Sequence, residues 1–168
     1  MRKIILMSVI ILATSKLVAQ ENIAKAGVLF GNFGVQYERS ISKQFSILGQ
    51  FGYSDIPTRV NNNDSKSTGL GYYVEGRYYF SSNKALMEGW HIGPHYTYLN
   101  LDDKNDDSIK TNISSFGVTT GYQWIFNSHV TLGVIVGIGT LSLDSDVKLD
   151  LGGIRFLPNL GVTLGYNF

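Results

Sequence analysis

The sequence predicts an all-β fold, an eight-stranded antiparallel up-and-down transmembrane β-barrel, and three observations carry that prediction. Apolar residues recur at every second position through segment after segment beyond residue 25. The positions between them hold mostly Gly, Thr, Ser, Asn and Gln. Aromatic residues on the apolar face gather toward the two ends of each segment and leave aliphatics in the middle.

In chain order, Arg2 and Lys3 precede an apolar stretch from Ile4 to Ala13 broken only by Ser8, and a short polar segment then ends in Leu17-Val18-Ala19. That order of basic, apolar and small residues is a secretory signal peptide over 1–19, leaving 20–168 as the barrel domain. A retained anchor helix is the alternative, but the apolar run is about half the roughly 20 residues a spanning helix needs. No later segment has the apolar length to cross as a helix, so any crossing is made by strands.

Six strands follow from the alternation: 45–54, 67–80, 89–101, 112–126, 129–141 and 153–168. Residues 90–98 show the pattern, with Trp90, Ile92, Pro94, Tyr96 and Tyr98 set against His91, Gly93, His95 and Thr97. Across 130–138, Val130, Leu132, Val134, Val136 and Ile138 interleave with Thr131, Gly133, Ile135 and Gly137. An even strand number requires 23–40 to be either a pair of strands turning near Gly31-Asn32 or one long strand with an unusual terminus; the pair is expected, because both residues tolerate the positive φ of a tight turn. Connections near 40–44, 81–88 and 127–129 are short, whereas those near 55–66, 102–111 and 142–152 are long and polar.

Alternation alone also fits a soluble sandwich or a lipocalin-like barrel. Such a barrel turns its apolar face inward and presents Lys, Glu and Asp to water. Here the non-apolar face is small and weakly charged, which suits a narrow polar lumen. Beside the short turns the apolar face carries Tyr37, Phe45, Tyr78, Phe80, Trp90, Trp124, Phe126, Tyr166 and Phe168. Toward the long connections it carries Tyr53, Tyr72, Tyr96, Tyr98, Phe116 and Phe156. Two aromatic girdles around an aliphatic band are what a bilayer selects, because amphipathic rings favour the headgroup level.

Composition narrows the function classes. Fourteen basic and thirteen acidic residues nearly cancel, which gives no footprint for nucleic acid. There is no cysteine, so thiolate catalysis, disulfides and Cys-based zinc sites are excluded. Charged residues make up 16% of the chain, against roughly 25% in an ordinary soluble domain.

The last strand, Leu160-Gly-Val-Thr-Leu-Gly-Tyr166-Asn-Phe168, resembles the C-terminal assembly signal of outer-membrane barrel proteins, with Thr163 where that pattern has Gly. In pattern the whole mature chain resembles the small barrels of the OmpX and OmpA membrane-domain group. The resemblance implies a bacterial outer-membrane location, reached by export. It implies contact with outer-membrane lipid and lipopolysaccharide, assembly by the barrel machinery through the C-terminal strand, and a monomer. It implies no single activity, since that group shares none.

Parity places Gln36, Glu38, Gln50, Tyr73, Glu75, Arg77, Tyr79, His91, His95, Gln123 and Arg155 in the lumen. An eight-stranded barrel is only just wide enough for side chains to fill it, so a hydrogen-bonded plug is expected rather than a pore. His91 and His95 face the same way but stand roughly 13 Å apart on a strand, too far to share one metal ion. The run Asp102–Asp107 has a calcium-loop flavour, yet Ser108 and Ser114 stand where an EF-hand needs Gly and Glu. Ser128 and His129 invite a lipid-hydrolase reading, but adjacent strand residues point apart and no carboxylate is placed to orient the histidine. The expectation is therefore a non-enzymatic outer-membrane barrel, without cofactor or metal, acting through exposed loops or envelope integrity. A lipid-modifying barrel enzyme is the alternative, and a secreted lipocalin-like carrier the third reading.

Overall fold

In the computed structural model, the structure describes residues 21–60, 63–81, 84–103, 110–127, 129–145 and 156–168. The signal peptide expected over 1–19 lies outside them. Eight strands close into one antiparallel barrel: β1 (Asn22–Leu29), β2 (Asn32–Ser40), β3 (Phe45–Val60), β4 (Asn63–Tyr79), β5 (Gly89–Asp103), β6 (Lys110–Phe126), β7 (Val130–Ser145) and β8 (Phe156–Asn167). Each strand pairs with the next in sequence, and β1 closes the ring on β8 with Ala24 opposite Tyr166 and Val28 opposite Val162. Closure leaves no sheet edge along the seam, and the Asn22 and Phe168 backbones exchange hydrogen bonds of 3.1 and 2.9 Å at its end.

Residues 23–40 do form two strands. The turn falls at Phe30-Gly31, one residue earlier than expected, with φ of 53° and 68°. Two successive positive φ values make the primed turn whose twist suits a two-residue hairpin. Asn32 is thereby kept in the ladder, where its amide donates to Ser54 Oγ at 3.1 Å and accepts from Gln50 Nε2 at 2.7 Å. This hairpin has strands of 8 and 9 residues beside neighbours of 16 and 12, so the wall is lowest there.

The expected loop at 55–66 is instead mostly ladder. β3 and β4 stay in register from Asp55 opposite Thr68 to Val60 opposite Asn63. The connection at 102–111 is also trimmed, since β5 runs to Asp103 and β6 starts at Lys110; β7 extends to Ser145, while β8 begins at Phe156, with the expected strand residues 153–155 outside the described residues.

Pro94 lacks an N–H, yet the β4–β5 register is the same on both sides of it, from Glu75 opposite His95 to Tyr78 opposite Ile92. A Cβ on neighbouring Gly93 would come within 1.7 Å of the Gly76 carbonyl oxygen, whereas one on Gly76 would meet nothing within 4 Å. Gly93→Ala is therefore expected to destabilise the barrel by about 1–3 kcal/mol through overpacking, and Gly76→Ala to be tolerated. Urea midpoints of the two variants in lipid vesicles check this contrast, and equal midpoints contradict it.

Candidate functional site

Within the lumen the strands bring charged groups together away from solvent. At the short-turn half, Lys25 from β1, Glu38 from β2 and Glu75 and Arg77 from β4 converge. All four are buried. Lys25 forms an ion pair with Glu38. Arg77 reaches Glu38 at 3.2 Å through Nη1 and Glu75 at 2.8 Å through Nη2. The two cations and two anions cancel, which is what allows four charges to be held off water.

Hydroxyls complete the shell. Tyr79 donates to Glu38 at 2.7 Å, Tyr73 to Glu75 at 3.0 Å and Thr119 to Glu75 at 2.6 Å. Lys25 also donates to Gln123 Oε1 at 2.6 Å, and Gln123 Nε2 donates to the Met87 carbonyl at 2.7 Å. Each carboxylate thus accepts from a cation and from hydroxyls, and a network satisfied in this way is rigid. It occupies the lumen at this level.

Two of its members were not legible as such. Lys25 sits on the eight-residue β1, and period two through Ile23, Lys25, Gly27 and Leu29 is the signal that places it inside. Met87 lies in the β4–β5 connection at φ 62°, and its side chain packs against Ile23, Tyr79 and Ile125. It closes the short-turn mouth of the lumen. That connection is longer than its counterparts after β2 and β6, and the extra residues supply the stopper.

Toward the long connections the lumen changes character. Gln36 donates to Gln50 at 2.7 Å, while Leu29, Leu48, Tyr73 and Ile135 form an apolar cluster. His95 stacks on Tyr73 with ring centroids 5.4 Å apart, and His91 packs on Tyr79 at 5.2 Å. The two histidines are on separate tyrosines at different depths; the nearest carboxylate to His91 is Glu75, 4.0 Å from its Nε2. Among the described residues, both His95 ring nitrogens, Thr97 Oγ1, Ser115 Oγ and the Asn159 amide have no hydrogen-bond partner. Unpartnered groups occur in the ionic half as well, at Arg77 Nε, both His91 ring nitrogens and Thr131 Oγ1.

The predicted lumen set Glu38, Gln50, Glu75, Arg77, His91, His95 and Gln123 all face inward and are buried, while Arg155 lies outside the described residues. The aromatics Tyr37, Phe45, Phe80, Trp90, Trp124, Phe126, Tyr166 and Phe168 all project outward, exposed, around the short-turn end. Tyr78 joins them, partly covered between Phe45 and Phe80 at centroid distances of 4.9 and 5.4 Å.

The remaining sequence candidates are placed only in part. Ser128 and residues 104–109 lie outside the described residues. His129 is exposed, with Nδ1 2.8 Å from the Asn127 carbonyl and its ring against Tyr166 at 5.2 Å, far from Glu38 and Glu75 in the lumen. Ser114 is held in the β6 ladder opposite Tyr98 and Ser142.

Among solved structures, the fold is similar to Acinetobacter baumannii CarO, with a TM-score of 0.59 at 12% identity over 92% of this chain and 100% of that one. The N-terminal β-barrel domain of Pseudomonas aeruginosa OprF aligns over 89% of this chain and 96% of that one, at 10% identity and a TM-score of 0.39. The fold is that of the small eight-stranded outer-membrane barrels. No curated protein sequence matches this chain. A family model does: over residues 2–148 the chain matches, and belongs to, the family described as protein of unknown function DUF3575.

Proposed function

We propose that this chain is an integral protein of the bacterial outer membrane, exported by its leader, that acts without catalysis. Its barrel is a closed, rigid mount, and its role lies in envelope integrity or in the contacts of its long connections. The observation that carries this reading is the outward face. Phe33 is 64% exposed, Val136 47% and Leu164 61%, within a continuous apolar wall. Exposed apolar surface of that extent on a soluble monomer would drive association, and a bilayer covers it.

The non-enzymatic reading is supported by how the lumen spends its groups. Glu38 and Glu75 are each engaged by a cation and by hydroxyls, which leaves neither as a free base. The likeness to CarO supports the fold on which the reading rests. Outer-membrane lipid and lipopolysaccharide are its proposed surroundings, the barrel assembly machinery its proposed partner through β8, and a monomer its proposed state.

Fractionation of cells producing the full chain tests this. The protein is expected in the outer-membrane fraction, and its band on a gel is expected to shift after boiling as the barrel unfolds. Recovery in the soluble fraction without detergent would overturn the membrane reading. Altered lipid A acyl chains in cells lacking the gene, by mass spectrometry, would overturn the non-enzymatic one.

A further inference from the structure

Among the described residues, the outer wall carries a recess at the short-turn end. It measures about 430 Å³, a volume in the range of ligand sites. Trp90, Tyr122 and Trp124 line it on β5 and β6, with Val134 and Val136 from β7 and Thr120 between them. The rings brace one another: Trp90 meets Tyr122 edge-on at 5.4 Å, and Tyr122 meets Trp124 at 4.6 Å. Thr120 turns its hydroxyl onto the His91 carbonyl at 2.9 Å, so the wall presents almost no polar demand to an occupant.

A charged pair adjoins this recess through Tyr122. Lys84, from the β4–β5 connection, holds its ammonium 5.0 Å from the Tyr122 ring centroid and donates to the Tyr122 hydroxyl. That hydrogen bond raises the pKa of the Lys84 ammonium, which stays cationic at physiological pH. Glu88 lies 3.5 Å from the same ammonium. An ammonium has three donors, and Tyr122 and Glu88 engage two of them.

From this juxtaposition we infer that the recess binds one phospholipid with a zwitterionic phosphoethanolamine head, its phosphate on Lys84, its ammonium on Glu88 and an acyl chain against Trp90, Tyr122 and Trp124. The inference rests on the membrane reading above. Charge complementarity selects the head: a cation and an anion side by side match a phosphate and an ammonium two methylenes apart. A purely anionic head gains from Lys84 but meets the Glu88 carboxylate.

The chain contains two tryptophans, and both line the recess. Their fluorescence is therefore a local reporter. The full-length mature chain is refolded into phosphatidylcholine vesicles containing increasing fractions of brominated phosphatidylethanolamine or brominated phosphatidylglycerol. Brominated phosphatidylethanolamine is expected to quench with about threefold higher relative affinity, the scale an exposed ion pair supplies. Lys84→Ala and Glu88→Gln are each expected to bring that ratio to one without changing the heat shift on a gel. A ratio of one in the unaltered protein, a preference for phosphatidylglycerol, or a ratio that survives both substitutions overturns the lipid assignment. No quenching by either lipid, with no heat-shifted band, overturns the membrane reading and the site with it.

Discussion

Replacing Arg77 by Ala is expected to destabilise the barrel by about 3–5 kcal/mol, because it strands two buried carboxylates. Among the described residues Arg77 bridges Glu38 and Glu75, at 3.2 and 2.8 Å. Lys25 would remain for Glu38, but Glu75 would keep only hydroxyl donors, from Tyr73 and Thr119. The paired change Arg77→Met with Glu75→Gln removes one charge of each sign and is expected to cost less than Arg77→Ala alone. Urea unfolding in lipid vesicles, followed by the gel shift, gives both numbers. Planar-bilayer recording supplies the functional side. The unaltered barrel is expected to show no large steady conductance, since the ion cluster occupies the lumen and Met87 stops its mouth. A large steady conductance abolished by Arg77→Ala would contradict the plug.

Val134→Lys is expected to cost about 2–4 kcal/mol, and Val130→Lys only about 0–1 kcal/mol, because the penalty for a lipid-facing charge falls with distance from the bilayer midplane. Both residues are exposed on the same face of β7, and Val130 stands at its short-turn end. Thr131→Lys is different in kind. Thr131 is fully buried in the lumen, and Thr131 Oγ1 and Lys25 Cγ flank the same side of Gly165. A second ammonium there crowds the first, so its cost is expected to fall when Lys25 is replaced by Met. Equal costs for lysine at all three positions would contradict the assigned facing.

The barrel is legible in the sequence because a closed wall with one apolar and one polar face imposes period two on every strand. Where the strands run beyond that two-faced wall the pressure for alternation ends. Residues 55–60 and 63–66 look like loop because they are polar, yet they are paired rung by rung. The Phe30-Gly31 turn shifted by one residue because Asn32 is held in the lumen by Gln50 and Ser54, a tertiary contact no local rule contains.

The lumen set was legible from parity, since facing is all that parity needs. The pairing within it was not. That Arg77 serves two carboxylates depends on the β2–β3–β4 registers, which put Glu38 opposite Leu48 and Arg77 opposite Ser46. Lys25 was missed because one polar residue among Ala, Gly and Val on a short strand is a faint signal. The Lys84–Glu88 pair beside the recess follows from how its connection folds back, which composition does not encode.

The central claim is the inverted facing of the wall, apolar outward and polar inward. Because the natural chain has no cysteine, single cysteines along β7 can each carry one spin label. The measurement is the collision accessibility of labels at positions 132 to 137 to oxygen, which concentrates in lipid, and to a water-soluble nickel chelate. The account predicts high oxygen accessibility at Leu132, Val134 and Val136, and low accessibility to both reagents at Gly133, Ile135 and Gly137. Nickel accessibility at the even positions, or no alternation between even and odd, would contradict it.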